Sequence, residues 1–240
     1  MVAWLVLYVN GIMWRMVASD IWGEIKISRD SYHHGNLRQE LLKEAGNLLE
    51  EKGASTLCLR ALARKAGVSH TAPYRHFKDK NDLLKSLVIQ GYDLLISGHL
   101  SAKTTKGLPK EKLFLAMSKY VEFGLAYPQL HQLIFAEQKA YRPDKEVAQR
   151  GVDCFNEFVK IVDNALPKNK RVDARFIAFA LWSHAHGVLL LTPNSRHNSE
   201  EAICSKSGEN FKGYMKSLRY GMEALIAGSF GQKWKNPYLF

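Results

Sequence analysis

"LCLRALARKAGVSHTAPYRHFKDKNDLL", residues Leu57 to Leu84, is the stretch whose reading decides the fold. Leu59, Leu62, Ala63 and Ala66 recur at i, i+3, i+4 and i+7, the spacing that lines one face of a short helix. Gly67 closes that helix, because glycine takes without steric cost the left-handed backbone a helix end often needs. Ser69 then offers its hydroxyl to an unpaired amide of the following turn, which predicts a third helix beginning at His70. Pro73 falls in the first turn after that cap, where no intrahelical bond is lost. Asp79, with Asp82 three residues on, restarts the chain in the manner of a capping box. Leu83, Leu84, Leu87, Val88, Leu94 and Leu95 carry a long fourth helix predicted to end near Gly98.

Upstream, Leu37, Leu41, Ala45, Leu48 and Leu49 predict an amphipathic first helix that stops at Gly53. Downstream, "SAKTTKGLPKE" is a polar break with Gly and Pro, and we place the domain boundary inside it. Helical patterns then run over about 109–125, 128–139, 144–165, 173–192 and 206–228, punctuated by Pro128, Pro143, Pro167 and "TPNSRHNS". No stretch alternates with period two for long enough to argue a sheet, so the fold class read here is all-α. The domains read from this pattern are an extension over 1–31, a helix-turn-helix domain over 32–100, a C-terminal helical domain over 101–228 and a tail over 229–240.

A chain of 240 residues with 46% hydrophobic content can bury a sizeable core. Its net charge of +11 favours an anionic partner without choosing among nucleic acid, membrane and acidic protein. Cys58, Cys154 and Cys204 are far apart and odd in number, which supports neither a disulfide framework nor a zinc site and points to a reduced, cytoplasmic setting. The apolar run "MVAWLVLYVNGIMWRM" has no basic residue ahead of it, and Asn10, Gly11 and Arg15 interrupt it short of the roughly 20 residues a bilayer needs. An extension outside the fold is the favoured reading of this run; membrane association and a helix packed on the body are the alternatives.

Two short helices joined by "AGVS" make a helix-turn-helix, in which the second helix enters a major groove while the first braces it. His70 and Thr71 stand at the N-terminal end, where side chains meet base edges, and Tyr74, His76 and Lys80 suit phosphate oxygens. Double-stranded DNA is the partner this cluster predicts.

The same stretch resembles the DNA-binding region of the TetR family of one-component transcriptional regulators, from Gly35 to about Tyr92. "AYPQLHQLIF" at Ala126–Phe135 and "LWSHAHGVLLL" at Leu181–Leu191 are similar to the family's WHG-type C-terminal domain, with Trp182, His186 and Gly187 as the naming residues. The resemblance implies a homodimer with an N-terminal DNA-binding domain, a pocket for a small-molecule effector and a dimer interface built from the last two long helices. It implies base-facing roles for His70, Thr71 and Ala72, phosphate contacts for Tyr74 and His76, and a phosphate-binding lysine in Lys80. Where the family has Ser or Thr capping the second helix, this chain has Cys58, a poorer cap, which leaves Thr56 or backbone amides to substitute. Ser69 completes the DNA-binding set.

Tyr120, Phe123, Phe135, Phe155, Phe158, Phe179, Trp182 and His186 are pocket candidates, although periodicity alone does not separate lining a pocket from filling a core. Val188, Leu189, Phe211, Met215, Leu218, Met222 and Leu225 are the candidates for the dimer interface. His184 and His186 lie two apart on a helix, about 200° around it, so they do not share a metal ion. Phosphate-loop, nucleophile-elbow and zinc-protease motifs are absent from the sequence, so no enzyme and no cofactor is expected. The function implied is a ligand-responsive repressor; an activator or a ligand-independent architectural DNA-binding protein is the alternative.

Overall fold

The computed structural model describes residues 5–9, 12–16, 37–136, 144–167, 173–191 and 209–228. The chain divides into two compact units, Met1–Leu87 and Val88–Phe240.

The first unit opens with two strands, β1 (Leu5–Val9) and β2 (Ile12–Met16), paired antiparallel from Val9↔Ile12 to Leu5↔Met16. The hairpin belongs to the segment read as an extension; from Leu37 onward the described residues are helical, with connecting turns, as the all-α reading expects. The signal was present: Asn10-Gly11 between β-branched and aromatic residues is the strongest short-range hairpin pattern, and each strand is too short for a period-two search to notice.

Helix α1 (Leu37–Lys52) buries Leu41, Leu42, Ala45, Leu48 and Leu49, the face its spacing predicts. A 3-10 turn at Ala54–Thr56 leads to α2 (Leu59–Lys65), whose N-cap is Cys58; its Sγ accepts from the Ala61 amide at 3.3 Å. Leu41, Leu49, Leu57, Leu62, Phe77 and Leu83 are buried almost completely and form this unit's core. Each such side chain contributes roughly 1.5–3 kcal/mol by leaving water.

After Gly67 (φ 67) the expected third helix is a series of tight turns ending in a 3-10 turn at Pro73–Arg75. The Ala72 amide donates to the Ser69 carbonyl, Tyr74 to Thr71, Arg75 to Ala72 and His76 to Pro73, all three residues apart. Only Phe77 to Pro73 spans four. Pro73 has no N–H to bond back to Ser69, which removes the i→i−4 bond that would have started an α-helix there. The Ser69 hydroxyl meets the Thr71 hydroxyl at 3.3 Å, where the sequence predicted a backbone cap.

Helix α3 (Lys80–Thr104) starts as expected: Asp79 Oδ1 accepts from the Asp82 amide at 2.8 Å, and Asp82 Oδ2 accepts from the Lys78 amide at 2.9 Å. It runs past Gly98, and the Thr104 and Thr105 hydroxyls donate to carbonyls of Leu100 and Ser101 in its last turn. Compactness divides the chain between Leu87 and Val88, inside α3, and not within the polar segment 101–111 where the sequence suggested a boundary.

In the second unit the later part of α3 is joined by α4 (Pro109–Ala126), α5 (Pro128–Phe135), α6 (Lys145–Ala165), α7 (Ala174–Leu191) and α8 (Glu209–Gly228). Prolines open α4 and α5, where a missing N–H costs nothing, and Asp144 caps α6 by accepting from the Glu146 and Val147 amides. Helix α4 packs against α5, α6, α7 and α8 and buries Leu113, Met117, Tyr120 and Val121. Arg150 of α6 pairs with Asp93 of α3. Arg219 of α8 lies 4.0 Å from the Phe114 ring centroid. By length and composition α7 could cross a membrane; its apolar residues divide between a buried face of Ile177, Ala178, Leu181 and Ala185 and an exposed one.

Candidate nucleic-acid interface and ligand cavity

The segment Ser69–Lys80 is held from beneath by two buried side chains, Pro73 and Phe77, while Ser69, His70, Thr71, Tyr74 and Lys78 are exposed above them. Tyr74 leaves 51% of its surface in solvent, a large value for an aromatic ring on so short an element. Ala72 and His76 are half-buried. Arg38 from α1 stands 5.3 Å from the Phe77 ring centroid and donates to the Ser86 hydroxyl at 3.2 Å, so the segment is anchored from two helices. Lys80 Nζ donates to the Ser55 carbonyl at 2.9 Å, which holds its ammonium beside the turn that enters α2. The Thr56 hydroxyl is exposed but donates back to the carbonyls of Lys52 and Gly53, at 3.2 and 3.0 Å. Arg60 and Arg64 on the exposed side of α2 widen the basic surface, and sequence reasoning had not singled them out.

The second unit holds a partly open cavity of about 380 Å³. Five of the eight pocket candidates line it: Tyr120, Phe135, Phe155, Phe158 and Trp182. Phe123 does not; it is buried against Tyr127, with ring centroids 5.8 Å apart. Phe179 is 58% exposed and meets Trp182 edge-on from outside the lining. His186 stands behind the wall, its Nδ1 2.6 Å from the Tyr120 hydroxyl.

That hydroxyl also meets His131 Nε2 at 2.9 Å. It donates its one proton to one imidazole and accepts from the other, so both rings are satisfied when neutral. Burial, with the neighbouring His186, lowers the His131 pKa to about 4, and burial lowers that of His186 as well. Burial raises the Tyr120 pKa. The cluster is therefore uncharged at neutral pH, a polar knot inside an aromatic shell.

The sequence reading missed Tyr92, His99, Met117, Cys154, Asn156 and Arg175 in the lining. Tyr92, Leu95 and His99 stand at i, i+3 and i+7 on α3, so a histidine on an otherwise apolar stripe was the available signal. Burial pushes the Cys154 thiol up to about 12, which leaves it protonated and unreactive. Arg175 sits at the exposed side and donates to Asn156 Oδ1 at 3.2 Å.

The dimer-interface candidates need correction. Leu218 and Met222 are almost fully buried, and Val188, Leu189 and Met215 are buried too, all within the single chain. Leu225 is half-buried, and the Phe211 side chain lies outside the described residues. Apolar periodicity picked the faces of α7 and α8 that look inward. The outward face of α7 carries Phe176, Phe179, Leu190 and Leu191, exposed by 72%, 58%, 67% and 82%, with Ser183 and Gly187 between them.

Comparisons with known proteins agree with this arrangement. A family model described as bacterial regulatory proteins, tetR family, matches residues 41–87, and one described as tetracyclin repressor-like, C-terminal domain, matches residues 113–202. An HTH-type transcriptional regulator of Staphylococcus aureus (strain MRSA252) is 26% identical over 105 residues, which is 44% of this chain and 57% of that one. A solved structure of a protein from Rhodococcus sp. RHA1 is 26% identical with a TM-score of 0.66, covering 84% of this chain and 99% of its own. A transcriptional regulator of the TetR/AcrR family from Thermobifida fusca shares the fold at 17% identity, with a TM-score of 0.60 over 78% of this chain and 97% of its own. Both units, each matched by its own family model and each built as that family requires, place the chain in the TetR family of helix-turn-helix transcriptional regulators.

Proposed function

We propose that this protein is a cytoplasmic repressor that binds a palindromic operator as a homodimer and is released by a small molecule. The observation that carries the DNA half is the segment Ser69–Lys80, with His70, Thr71 and Tyr74 exposed over a buried Pro73–Phe77 anchor. Thr71 and His70 are assigned to base edges, with Ala72 in apolar contact, and Tyr74, His76, Lys80, Ser69 and Thr56 to phosphate and sugar. The aromatic cavity supports the ligand half.

A two-fold dimer is supported by the outward apolar face of α7, because single chains seldom leave such a strip in water. On α8 the outward residues are Gly213, Lys216 and Ser217, small or flexible enough to admit a second helix. Ligand binding would favour a dimer geometry in which the two recognition segments no longer match successive major grooves, with α3 as the coupling element.

Protection of the DNA flanking the coding region tests the reading. A footprint over an inverted repeat, bound by a species of twice the chain mass, is the expected result. Binding by the single chain, or equal binding to random duplex, would replace the repressor with an architectural protein.

A further inference from the structure

Among the described residues, one polar atom of the cavity lining has no hydrogen-bond partner. His99 is 6% exposed, its ring stacks on Phe158 with centroids 5.4 Å apart, and its Nδ1 has no hydrogen-bond partner. The Cys154 backbone favours the protonated form of His99, as a carbonyl accepting from the ring does, and with Nδ1 unpartnered we assign the ring proton to the other nitrogen. Nδ1 is thereby left with a lone pair: it is an acceptor. A buried acceptor without a donor costs about 1–3 kcal/mol, and in a ring that lines a cavity a ligand is the natural source of the missing donor.

The remaining lining limits what that ligand can be. Among the described residues that line the cavity none is a carboxylate, so a cation would meet no counter-charge from them. Glu157 bears electrostatically on His99 but is engaged by Lys160 and Lys103. Arg175, the charged residue of the described lining, is exposed to solvent and donates to Asn156 Oδ1. Aromatic walls from Tyr120, Phe155, Phe158 and Trp182 favour a flat, apolar body. The volume of about 380 Å³ falls at the small end of ligand sites, roughly 300–1,000 Å³.

We propose that the effector is a small, uncharged, aromatic molecule bearing a hydroxyl or N–H donor, and that His99 Nδ1 reads that donor. The proposal rests on the ligand-binding reading above and narrows it to a chemical class. His99 stays neutral throughout the physiological range, since burial lowers its pKa to about 4, so it accepts and does not compete with the ligand as a donor.

Titration of the full-length protein with 2-naphthol, 2-methoxynaphthalene, naphthalene and 2-naphthylmethylammonium, followed by tryptophan fluorescence, is the test. The wild type should bind 2-naphthol about tenfold more tightly than its methyl ether or naphthalene, and the ammonium compound most weakly. His99→Phe keeps the stack on Phe158 and should bring the naphthol-to-ether ratio close to one, while His99→Gln, which restores an acceptor, should recover part of it. Equal wild-type affinity for naphthol and its ether overturns the donor rule and leaves ligand binding standing. Preference for the ammonium compound, or binding of none of the four, overturns the class. Operator release is scored separately by fluorescence anisotropy of labelled DNA: tight naphthol binding without release leaves the His99 assignment intact and counts against the repressor mechanism.

Discussion

Gly221 on α8 lies so close to the His184 imidazole on α7 that an added methyl group would overlap the ring, and His184 Nε2 meets the Ser217 carbonyl at 3.1 Å. The two helices are locked at this point by a ring seated on bare backbone. Gly221→Ala should therefore destabilise the protein by about 1–3 kcal/mol, as overpacking does, and lower the thermal midpoint. Gly98→Ala would meet only Lys119 side-chain carbons, at 3.4 and 3.9 Å, and should leave the midpoint unchanged or raised. Equal midpoints for Gly221→Ala and the wild type would show that the helices part easily.

Assembly should respond to the outward face of α7 and not to the apolar positions of α8. Phe179→Glu and Leu190→Glu should give folded monomers in sedimentation, with circular dichroism unchanged and operator affinity sharply reduced because one particle no longer spans both half-sites. Leu218→Asp, at a fully buried position, should unfold the chain and not merely separate it. A folded, monomeric Leu218→Asp protein would restore the interface that burial removed.

DNA affinity should divide by role. Lys80→Ala should weaken operator and random duplex alike and lower the salt slope by about 1, whereas Tyr74→Phe should weaken both without changing the slope. Thr71→Ala should cost on the order of 1–3 kcal/mol on the operator alone. A changed base preference in the lysine variant, or an unchanged operator-to-random ratio for Thr71→Ala, would reverse the assignments.

Acid should weaken the second unit through its buried imidazoles. His99 and His131 are held near pKa 4, below the ordinary 6.5, so the unfolded chain takes up protons that the folded one refuses. Their contribution is complete above about pH 6.5, is lost as pH falls toward 4, and reaches on the order of 3 kcal/mol for each group. Urea midpoints between pH 7.5 and 4.5 should fall accordingly, and His99→Phe should flatten part of the fall. A midpoint that holds steady down to pH 4.5 would mean these rings are hydrated.

The extension should be dispensable for DNA binding, since the helix-turn-helix begins well after it. A chain starting at Ser31 should match the full-length affinity. Loss of folding on truncation would tie the Leu5–Met16 hairpin to the body.

Helix spacing was legible in the sequence because burial imposes it: α1, α2 and α4 to α8 begin within a few residues of their predicted starts. The recognition segment was legible in composition but not in backbone, since a proline permitted at a helix start also removes the bond that would begin one. Pocket aromatics were half legible. Phe155 and Trp182 reach the cavity while Phe123 and Phe179, at equally helical positions, do not, because period alone does not say which side of a two-sided helix holds a void. The α8 residues read as interface candidates are buried for the opposite reason: hydrophobicity marks the most buried stripe, and on α8 Met215, Leu218 and Met222 lie in the chain's own core.

The division between the compact units falls inside helix α3, at Leu87 and Val88, and this constrains any attempt to exchange one of them. A chimera joined in a flexible loop would need only enough chain to reach; one joined between Leu87 and Val88 must preserve helical phase. One inserted residue turns everything downstream by about 100° and advances it by about 1.5 Å, while seven residues restore the angle to within about 20°. Fusions that transplant this DNA-reading unit onto another sensor should therefore work in a seven-residue rhythm, and intervening lengths should yield proteins that fold but no longer answer their ligand.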